Sequence, residues 1–190
     1  MSIIIKKERN QNNMNIKTVV VGELYENCYI IEKNNSCLIV DPGDEDDKII
    51  SEIEYEVKGI LVTHSHPDHI GALDKLKSKY NVPIYKYSNL NEENINIDEF
   101  NFDIIYTKGH TDDSITFYFK EDKVMFTGDF LFKSTIGRMD LPTGNMLEMK
   151  KSINKIINYD DDIKVYPGHG ASTTLGLEKK YNDYLNGMFW

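Results

Sequence analysis

The sequence predicts a layered α/β protein in which helices cover mixed β-sheets. Short apolar runs bounded by polar turns recur along the chain, and stretches with apolar residues at helical spacing lie between them. Residues 59–63 form a continuous apolar run, which is typical of a strand buried on both faces. Strands of this kind need helices packed outside them, so the pattern favours a layered α/β architecture.

The predicted elements follow one another in two similar halves. In the first half, β-branched and apolar runs predict strands over residues 16–21, 28–31, 37–40, 59–63 and 82–85, and helical spacing predicts helices over residues 46–57 and 67–80. In the second half, the same criteria predict strands over residues 102–107, 115–119, 124–127 and 163–166, and helices over residues 146–157 and 174–185. Pro67 stands at the first position of its helix, where its missing N–H is tolerated.

The two cysteines are not expected to form a disulfide. If Asn34 faces Asn35 at the turn between two strands, Cys37 lies opposite Glu32 and Cys28 lies several residues away in the register. Two thiols so far out of register cannot be bridged without distortion. Both cysteines are therefore interpreted as small core residues.

The composition narrows the classes of function. The 190 residues carry 22 Lys and Arg against 31 Asp and Glu, a formal charge of −9, and no basic run. This balance argues against a protein that binds nucleic acid or anionic membranes, and no apolar run is long enough to span a bilayer. We expect a cytoplasmic monomer or small homo-oligomer that acts on a small molecule. Residues 1–13 are predicted to be a disordered extension, and residues 14–190 a single domain.

Histidine and aspartate residues follow the ends of five predicted strands. The run His64-Ser65-His66-Pro67-Asp68-His69 follows one strand, and His110, Asp129, His169 and Asp41 each follow another. All five histidines of the chain lie in these loops. Loops at strand ends are where α/β proteins build their sites, so we expect these side chains to meet.

The residue types in these loops predict a metal centre. Neutral imidazole is the commonest ligand for zinc and similar metals, and carboxylates complete the coordination. Five histidines and two aspartates exceed the three protein ligands of one catalytic zinc and suit two metals that share a carboxylate. His64 and His66 alternate and can point to one side, whereas Asp68 and His69 fall in the first turn of the next helix.

Each residue also has a simpler interpretation. His110 or His169, taken alone, could be a structural residue at a strand end, and Asp68 could be an acid favoured by the helix dipole. Asp41 could form a turn before Pro42-Gly43, or its carboxylate could orient a metal-bound histidine. Chance does not readily account for all of them together, so the set favours a metal centre.

These motifs resemble those of the metallo-β-lactamase-fold hydrolases, over about residues 16–185. The HSHPDH run, His110, Asp129 and His169 resemble the ligand pattern of that superfamily in order and spacing. The segments that resemble its short glyoxalase II-like branch are residues 26–30, 41–43, 128–132, 136–142, 166–170 and 173–176. The resemblance implies a four-layer αβ/βα sandwich of two mixed sheets flanked by helices. The chain departs from the family's usual loop at residues 108–114, where two prolines are absent.

The resemblance also implies a role for each ligand. It assigns His64, His66 and His110 to one metal, Asp68, His69 and His169 to a second metal, and Asp129 to both. The expected cofactors are two divalent ions, with zinc favoured and iron or manganese as alternatives. Asp68 would in addition orient the attacking water.

The predicted function is the hydrolysis of acyl-thiol esters such as S-lactoylglutathione, with water activated by two metals. Arg138 is the candidate for binding a substrate carboxylate, since a guanidinium suits that group, although it could instead form a surface salt bridge. The alternative function is a persulfide dioxygenase of the same fold. In that case His64, His66 and either Asp129 or His110 would hold a single iron.

Overall fold

Residues 13–189, which a computed structural model describes, form two mixed β-sheets with helices on their outer faces. The predicted disordered extension lies outside the described residues except for its last residue, residue 13. Within the described residues, no helix is long and apolar enough to cross a membrane.

The first sheet comes from the N-terminal half of the chain and has the strand order β1-β2-β3-β4-β5. Its β3–β4 and β4–β5 pairs are parallel, and the other pairs are antiparallel. The elements of this half are β1 (Asn15–Val21), β2 (Glu26–Lys33), β3 (Ser36–Val40), α1 (Asp46–Glu52), β4 (Glu56–Leu61), α2 (Pro67–Ile70), α3 (Leu73–Tyr80) and β5 (Ile84–Tyr85).

The second sheet comes from the C-terminal half and has the strand order β13-β12-β9-β8-β7-β6, in which only β12 and β9 run parallel. A short hairpin, β10–β11, stands apart from it. The elements are β6 (Asn94–Ile97), β7 (Phe100–Tyr106), β8 (Ile115–Phe119), β9 (Val124–Gly128), β10 (Leu131–Phe132), β11 (Thr135–Ile136), α4 (Met146–Ile156), β12 (Lys164–Pro167), β13 (Thr173–Thr174) and α5 (Leu175–Tyr181).

Three apolar cores separate four layers. The central core packs the first sheet, through residues such as Ile31 and Leu38, against phenylalanines of the second sheet. Alternate residues of the same strands face outward, where Ile30 packs with residues of α1 and α3. On the far side, α4 covers the second sheet, with Met149 fully buried. The αβ/βα sandwich that the sequence predicts is therefore confirmed.

The hairpin between β2 and β3 has the predicted register. Asn34 and Asn35 form its turn with φ values of 48° and 66°, a conformation that asparagine tolerates well. Cys37 pairs with Glu32, as expected, and the thiols of Cys28 and Cys37 are free and fully buried.

Helix 46–57 was predicted too long. The observed helix α1 ends at Glu52, because Ile53 adopts an extended conformation. Val57, whose position also fits helical spacing, instead pairs with Cys37 in the parallel β3–β4 ladder. Apolar periodicity alone could not distinguish a helix from a strand at this position, because Val57 is buried in either arrangement.

The other two corrected helices are shortened by hydrogen bonds to distant residues. Helix 67–80 is interrupted between α2 and α3, because the amide of Ala72 donates to the carbonyl of Pro42 (3.0 Å) instead of to its own helix. Helix 174–185 ends at Tyr181, because Asn182 is extended and fully buried. The side-chain amide of Asn182 donates to the carbonyl of Thr135 (3.0 Å). The short strands β6, β10, β11 and β13 were not predicted.

We expect both cysteines to resist thiol reagents in the folded protein. Burial raises the pKa of Cys28 well above its usual value and that of Cys37 to about 12, so neither forms an accessible thiolate. A colorimetric thiol reagent should react with essentially no thiol in the native chain and with both after unfolding. Rapid labelling of the native protein would contradict this burial.

Candidate metal centre

The HSHPDH run forms the loop that leads from β4 into α2. His66 is extended and precedes the helix, and Pro67 occupies the first helical position. This geometry turns the chain sharply, so that Asp68 and His69 lie in the first turn of α2. His64 and His69 are buried, whereas His66 and Asp68 are half-buried.

Glycines allow the backbone of this loop to pack closely against residues 41–43. A Cβ on Gly43 would lie 1.8 Å from the carbonyl oxygen of Asp68. A Cβ on Gly71 would lie 2.2 Å from the carbonyl oxygen of Gly43. Because neither position has room for a side chain, the loop after β3 holds α2 in place.

The remaining ligands come from the second sheet. His110 follows β7, Asp129 follows β9 and His169 follows β12. The parallel β9–β12 ladder aligns Gly128 with Pro167, which brings Asp129 near His169. The structure thus brings all seven predicted ligand residues to one edge of the sandwich.

Three histidines form a first group of ligand atoms. His66 Nδ1 lies 3.1 Å from His64 Nε2 and 3.0 Å from His110 Nε2. All three atoms lie within 4.8 Å of one another. Three imidazole nitrogens converging in this way can hold one metal ion.

Asp68, His69 and His169 form a second group, which also lies within 4.8 Å. His169 Nε2 is 3.3 Å from Asp68 Oδ2, and His69 Nε2 is 3.9 Å from the same oxygen. Asp129 adjoins both groups. Its Oδ1 lies 3.3 Å from His69 Nε2, and its Oδ2 lies 3.5 Å from His110 Nε2.

Hydrogen bonds orient three of the histidines by holding Nδ1. His69 Nδ1 contacts Asp41 Oδ2 (3.1 Å), His110 Nδ1 contacts the carbonyl of Arg138 (2.8 Å) and His169 Nδ1 contacts the carbonyl of Leu24 (3.0 Å). An acceptor at Nδ1 keeps the proton there and leaves the lone pair of Nε2 for a metal. In each case Nε2 faces the centre.

Asp41, on the buried side of the centre, supports one histidine of each ligand group. Its carboxylate accepts hydrogen bonds from the amide (2.7 Å) and the hydroxyl (2.6 Å) of Thr63 and contacts His69. The Thr63 hydroxyl in turn lies 3.1 Å from His64 Nδ1. Because Thr63 donates its proton to Asp41, its oxygen is free to accept one from His64. Asp41 therefore orients His69 directly and His64 through Thr63.

Sequence reasoning missed Glu26 as a neighbour of the centre. Its side chain is 1% exposed, and its Oε1 lies 3.7 Å from His69 Nδ1. Burial raises the pKa of Glu26 to about 10, so the carboxyl group is neutral at physiological pH. Glutamate is ordinarily exposed, so nothing in the sequence signals this position.

The pKa shifts leave His64 and His66 of the first group neutral and the neighbouring carboxylates charged. Burial lowers the pKa of His64 well below its usual value, and burial together with His110 lowers that of His66. Pairing with His169 lowers the pKa of Asp68 to about 2. Burial alone would raise the pKa of Asp129, but His69 outweighs it and brings the pKa to about 2. Neutral imidazoles beside ionised carboxylates suit a divalent cation.

In the second group, the carboxylates raise histidine pKa values. Burial opposes a charge on His69, but Asp129 and Asp41 outweigh it and raise the pKa well above its usual value. Pairing with Asp68 raises the pKa of His169. A metal ion bound to this group would take the place of protons at Nε2.

Two buried atoms without hydrogen bonds indicate whether a cation fits between the ligand residues. His69 Nε2 and Asp129 Oδ1 are buried and face each other at 3.3 Å, but the geometry makes no hydrogen bond, and neither atom has another hydrogen-bond partner within the described residues. Buried polar atoms without partners are costly, and such pairs are rare unless an ion or water joins them. An electron-pair donor on each side of a short gap fits a metal ion, so the residues present fit the expected group.

Arg138 borders the centre, but its side chain is already paired. Its Nε and Nη2 both donate to the carboxylate of Asp140 at 2.7 Å, and the two side chains are 61% and 68% exposed. The assignment of Arg138 to a substrate carboxylate stays a prediction. Its backbone carbonyl has a separate task, because it holds His110.

Comparison with known proteins agrees with this geometry. The family model described as "Metallo-beta-lactamase superfamily" matches residues 21–102 and 90–169. The chain is similar to the hydroxyacylglutathione hydrolase GloC of Haemophilus influenzae, at 34% identity over 91% of this chain and 99% of that protein.

Two solved structures share the fold. The BLEG-1 B3 metallo-beta-lactamase superposes with a TM-score of 0.87 at 29% identity, covering 91% of this chain and 100% of the other. The protein TTHA1623, in a di-iron-bound form, superposes with a TM-score of 0.83 at 28% identity, covering 89% and 100%. The sandwich fold, the ligand cluster at its edge and these matches together establish that the chain belongs to the metallo-beta-lactamase superfamily.

Proposed function

We propose that this protein is a metal-dependent hydrolase that holds two divalent ions and cleaves acyl-thiol esters. The observation that carries the proposal is the position of Asp129 between the two ligand groups. One carboxylate oxygen lies 3.3 Å from His69 of the second group, and the other lies 3.5 Å from His110 of the first. A carboxylate with an oxygen near each of two ligand groups suits a pair of ions.

The division of the ligands supports two ions rather than one. A single catalytic ion uses three protein ligands, and the first group already supplies three imidazoles. The second group offers three more donor atoms, and Asp129 has an oxygen close to each group. In the alternative function, a dioxygenase with one iron, the second group would have no metal ion to bind.

The accessible side of the centre sets where a substrate approaches. His64 and His69 are nearly or fully buried, whereas Asp68 and His169 are 25% and 26% exposed. When bound, divalent ions activate water near neutral pH and polarise a carbonyl oxygen. Asp68 stays ionised because its pKa is lowered to about 2. Its carboxylate therefore accepts a hydrogen bond from a water molecule on the exposed side and orients that water.

The thioester class is supported by two arguments. A thiolate leaves readily, since free thiols have a pKa of about 8.5, so hydrolysis needs no strong general acid. With Glu26 buried behind His69 and Asp68 ionised, neither carboxyl group is placed to act as one. The similarity to a hydroxyacylglutathione hydrolase, at 34% identity over nearly the full length, points to the same class.

The β-lactamase among the structural neighbours makes β-lactam cleavage the main rival activity. Cleavage of a β-lactam ring releases an amine, which is a far poorer leaving group than a thiolate and needs a proton. We expect the present site to favour the thioester for that reason.

Metal analysis tests the two-ion centre. The purified protein should contain about two divalent ions per chain. Asp129→Ala should lose metal and lower kcat/KM by more than the roughly 10- to 100-fold that follows loss of a residue supporting a ligand. Asp162→Ala, which removes an exposed carboxylate paired with Lys123, is the matched control and should behave as wild type. One tightly held iron per chain would support the dioxygenase instead, with His110 as the third ligand if Asp129→Ala leaves the iron content unchanged.

A substrate panel tests the reaction class. We expect S-lactoylglutathione or another acyl-thiol ester to be hydrolysed with a kcat/KM well above that for a chromogenic β-lactam, because only the thioester releases a good leaving group. The measurement is initial rates with metal-loaded protein. Efficient β-lactam cleavage without thioester turnover would show that the substrate class is wrong.

Arg138→Ala tests substrate recognition separately from chemistry. If the guanidinium binds a substrate carboxylate, KM should rise about two- to fivefold with little change in kcat, since exposed charge pairs are weak and this one is remote from the reacting carbonyl. Asp140→Ala, which frees the guanidinium, should leave KM unchanged or lower it. An equal effect on a substrate that lacks the carboxylate would show that Arg138 is structural.

A further inference from the structure

The first ligand group is assembled from two separate loops. His64 and His66 lie in the loop after β4 of the first sheet, and His110 lies in residues 107–114, between β7 and β8 of the second sheet. The distances of 3.0 Å and 3.1 Å among their ligand atoms therefore depend on how these two loops are held together.

One side-chain hydrogen bond joins the two loops next to the ligands. Ser65, which stands between His64 and His66 in the sequence, donates its hydroxyl proton to Asp113 Oδ2. The other oxygen of Asp113 accepts a hydrogen bond from the hydroxyl of Thr111 at 2.7 Å. Both oxygens of Asp113 are thus engaged, one by each loop.

The partners of Asp113 are themselves fixed. Thr111 and Ser114 are both 4% exposed, and their hydroxyl oxygens lie 2.6 Å apart. The amide of Thr111 also donates to the Ser114 hydroxyl at 3.3 Å. Asp113 therefore projects from a rigid part of the loop, although no proline stiffens residues 107–114.

On its other side, the loop is held by the helix α4. The carbonyl of Gly109 accepts a hydrogen bond from the amide of Asn145 (2.8 Å), and the carbonyl of Lys108 accepts one from Ser152 (2.7 Å). A Cβ on Gly109 would lie 2.4 Å from Cα of Met149, so the backbone rests directly on the helix. These contacts fix the loop to α4, which covers the second sheet. They do not fix it to the loop that carries His64 and His66.

Tight packing does not hold Ser65 and Asp113 together. A cavity of about 190 Å³ borders both side chains, together with Val62, His64 and residues 86–88. Because the cavity leaves space beside them, the hydrogen bond rather than steric confinement fixes their separation. Truncating either side chain only enlarges this cavity and leaves the apolar cores untouched.

We propose that Ser65 and Asp113 form a clamp that positions the first ligand group for metal binding. This inference rests on the proposed two-ion centre. Both are positioning residues, because they act through the loops that carry His64, His66 and His110 and provide none of the ligand atoms in the two groups. The amide of Ile115 also donates to the carbonyl of Thr63 (2.9 Å), so the two loops stay attached without the clamp. Loss of the clamp would instead loosen the position of His110 relative to His64 and His66, which weakens metal binding at that group alone.

Metal titration of the apo-protein with zinc tests the clamp, with competition by a chelator of known affinity. Asp113→Ala should weaken one of the two binding steps about 2- to 10-fold, the effect of losing one hydrogen bond, and leave the other unchanged. Ser65→Ala should do the same, and Ser65→Thr, which keeps the hydroxyl, should restore the affinity. The double variant should lose no more than Asp113→Ala, since both changes remove one interaction.

Asp112→Ala is the matched control, because Asp112 is the exposed neighbour in the same loop. It should leave both affinities unchanged. Equal weakening of both steps, the same loss in Asp112→Ala, or wild-type affinities in Asp113→Ala and Ser65→Ala would overturn the clamp. A wild-type protein that binds no zinc would overturn the proposed function and the clamp with it.

Discussion

The charge around one buried imidazole governs the whole centre. His69 has no exposed surface, and four carboxyl groups lie within 3.9 Å of its ring nitrogens: those of Glu26, Asp41, Asp68 and Asp129. Ionising all four carboxyl groups so close together is unfavourable, most of all at Glu26, which is buried. Two features reduce the net negative charge. Glu26 stays protonated because its pKa is raised, and the raised pKa of His69 favours a positive charge on its ring. A divalent cation bound at the centre would offset the remaining negative charge.

Close approach of backbone segments makes this crowding possible. A Cβ on Gly168 would lie 2.3 Å from Asp129 Oδ1, and a Cβ on Gly128 would lie 2.2 Å from the hydroxyl of Thr63. Gly128 also has a φ of 49°, which a larger residue would adopt only with strain. The strands of both sheets can therefore end within ligand distance of one another, and the orienting bonds to Thr63 and Asp41 remain short.

The clustering of the candidate ligands could be predicted from the sequence because their signal is local. Each of them follows an apolar strand, so hydrophobic pattern and residue type together predict its place. The supporting contacts are harder to predict, because the acceptors for His110 and His169 are backbone carbonyls that any residue supplies. Glu26 was missed because its burial results from tertiary packing. The helix boundaries failed for the same reason, as in the hydrogen bond from Ala72 to Pro42.

The ligand residues are divided between the two halves of the chain, with four before residue 70 and three after residue 109. In the first group, an ion would link loops from both halves, as it would in the second. A ligand that binds only the folded chain adds about 2.7 kcal/mol to the free energy of unfolding when its concentration is 100 times Kd. Metal supply would then set the lifetime of the protein as well as its activity, because chains short of metal open more often and expose themselves to proteases.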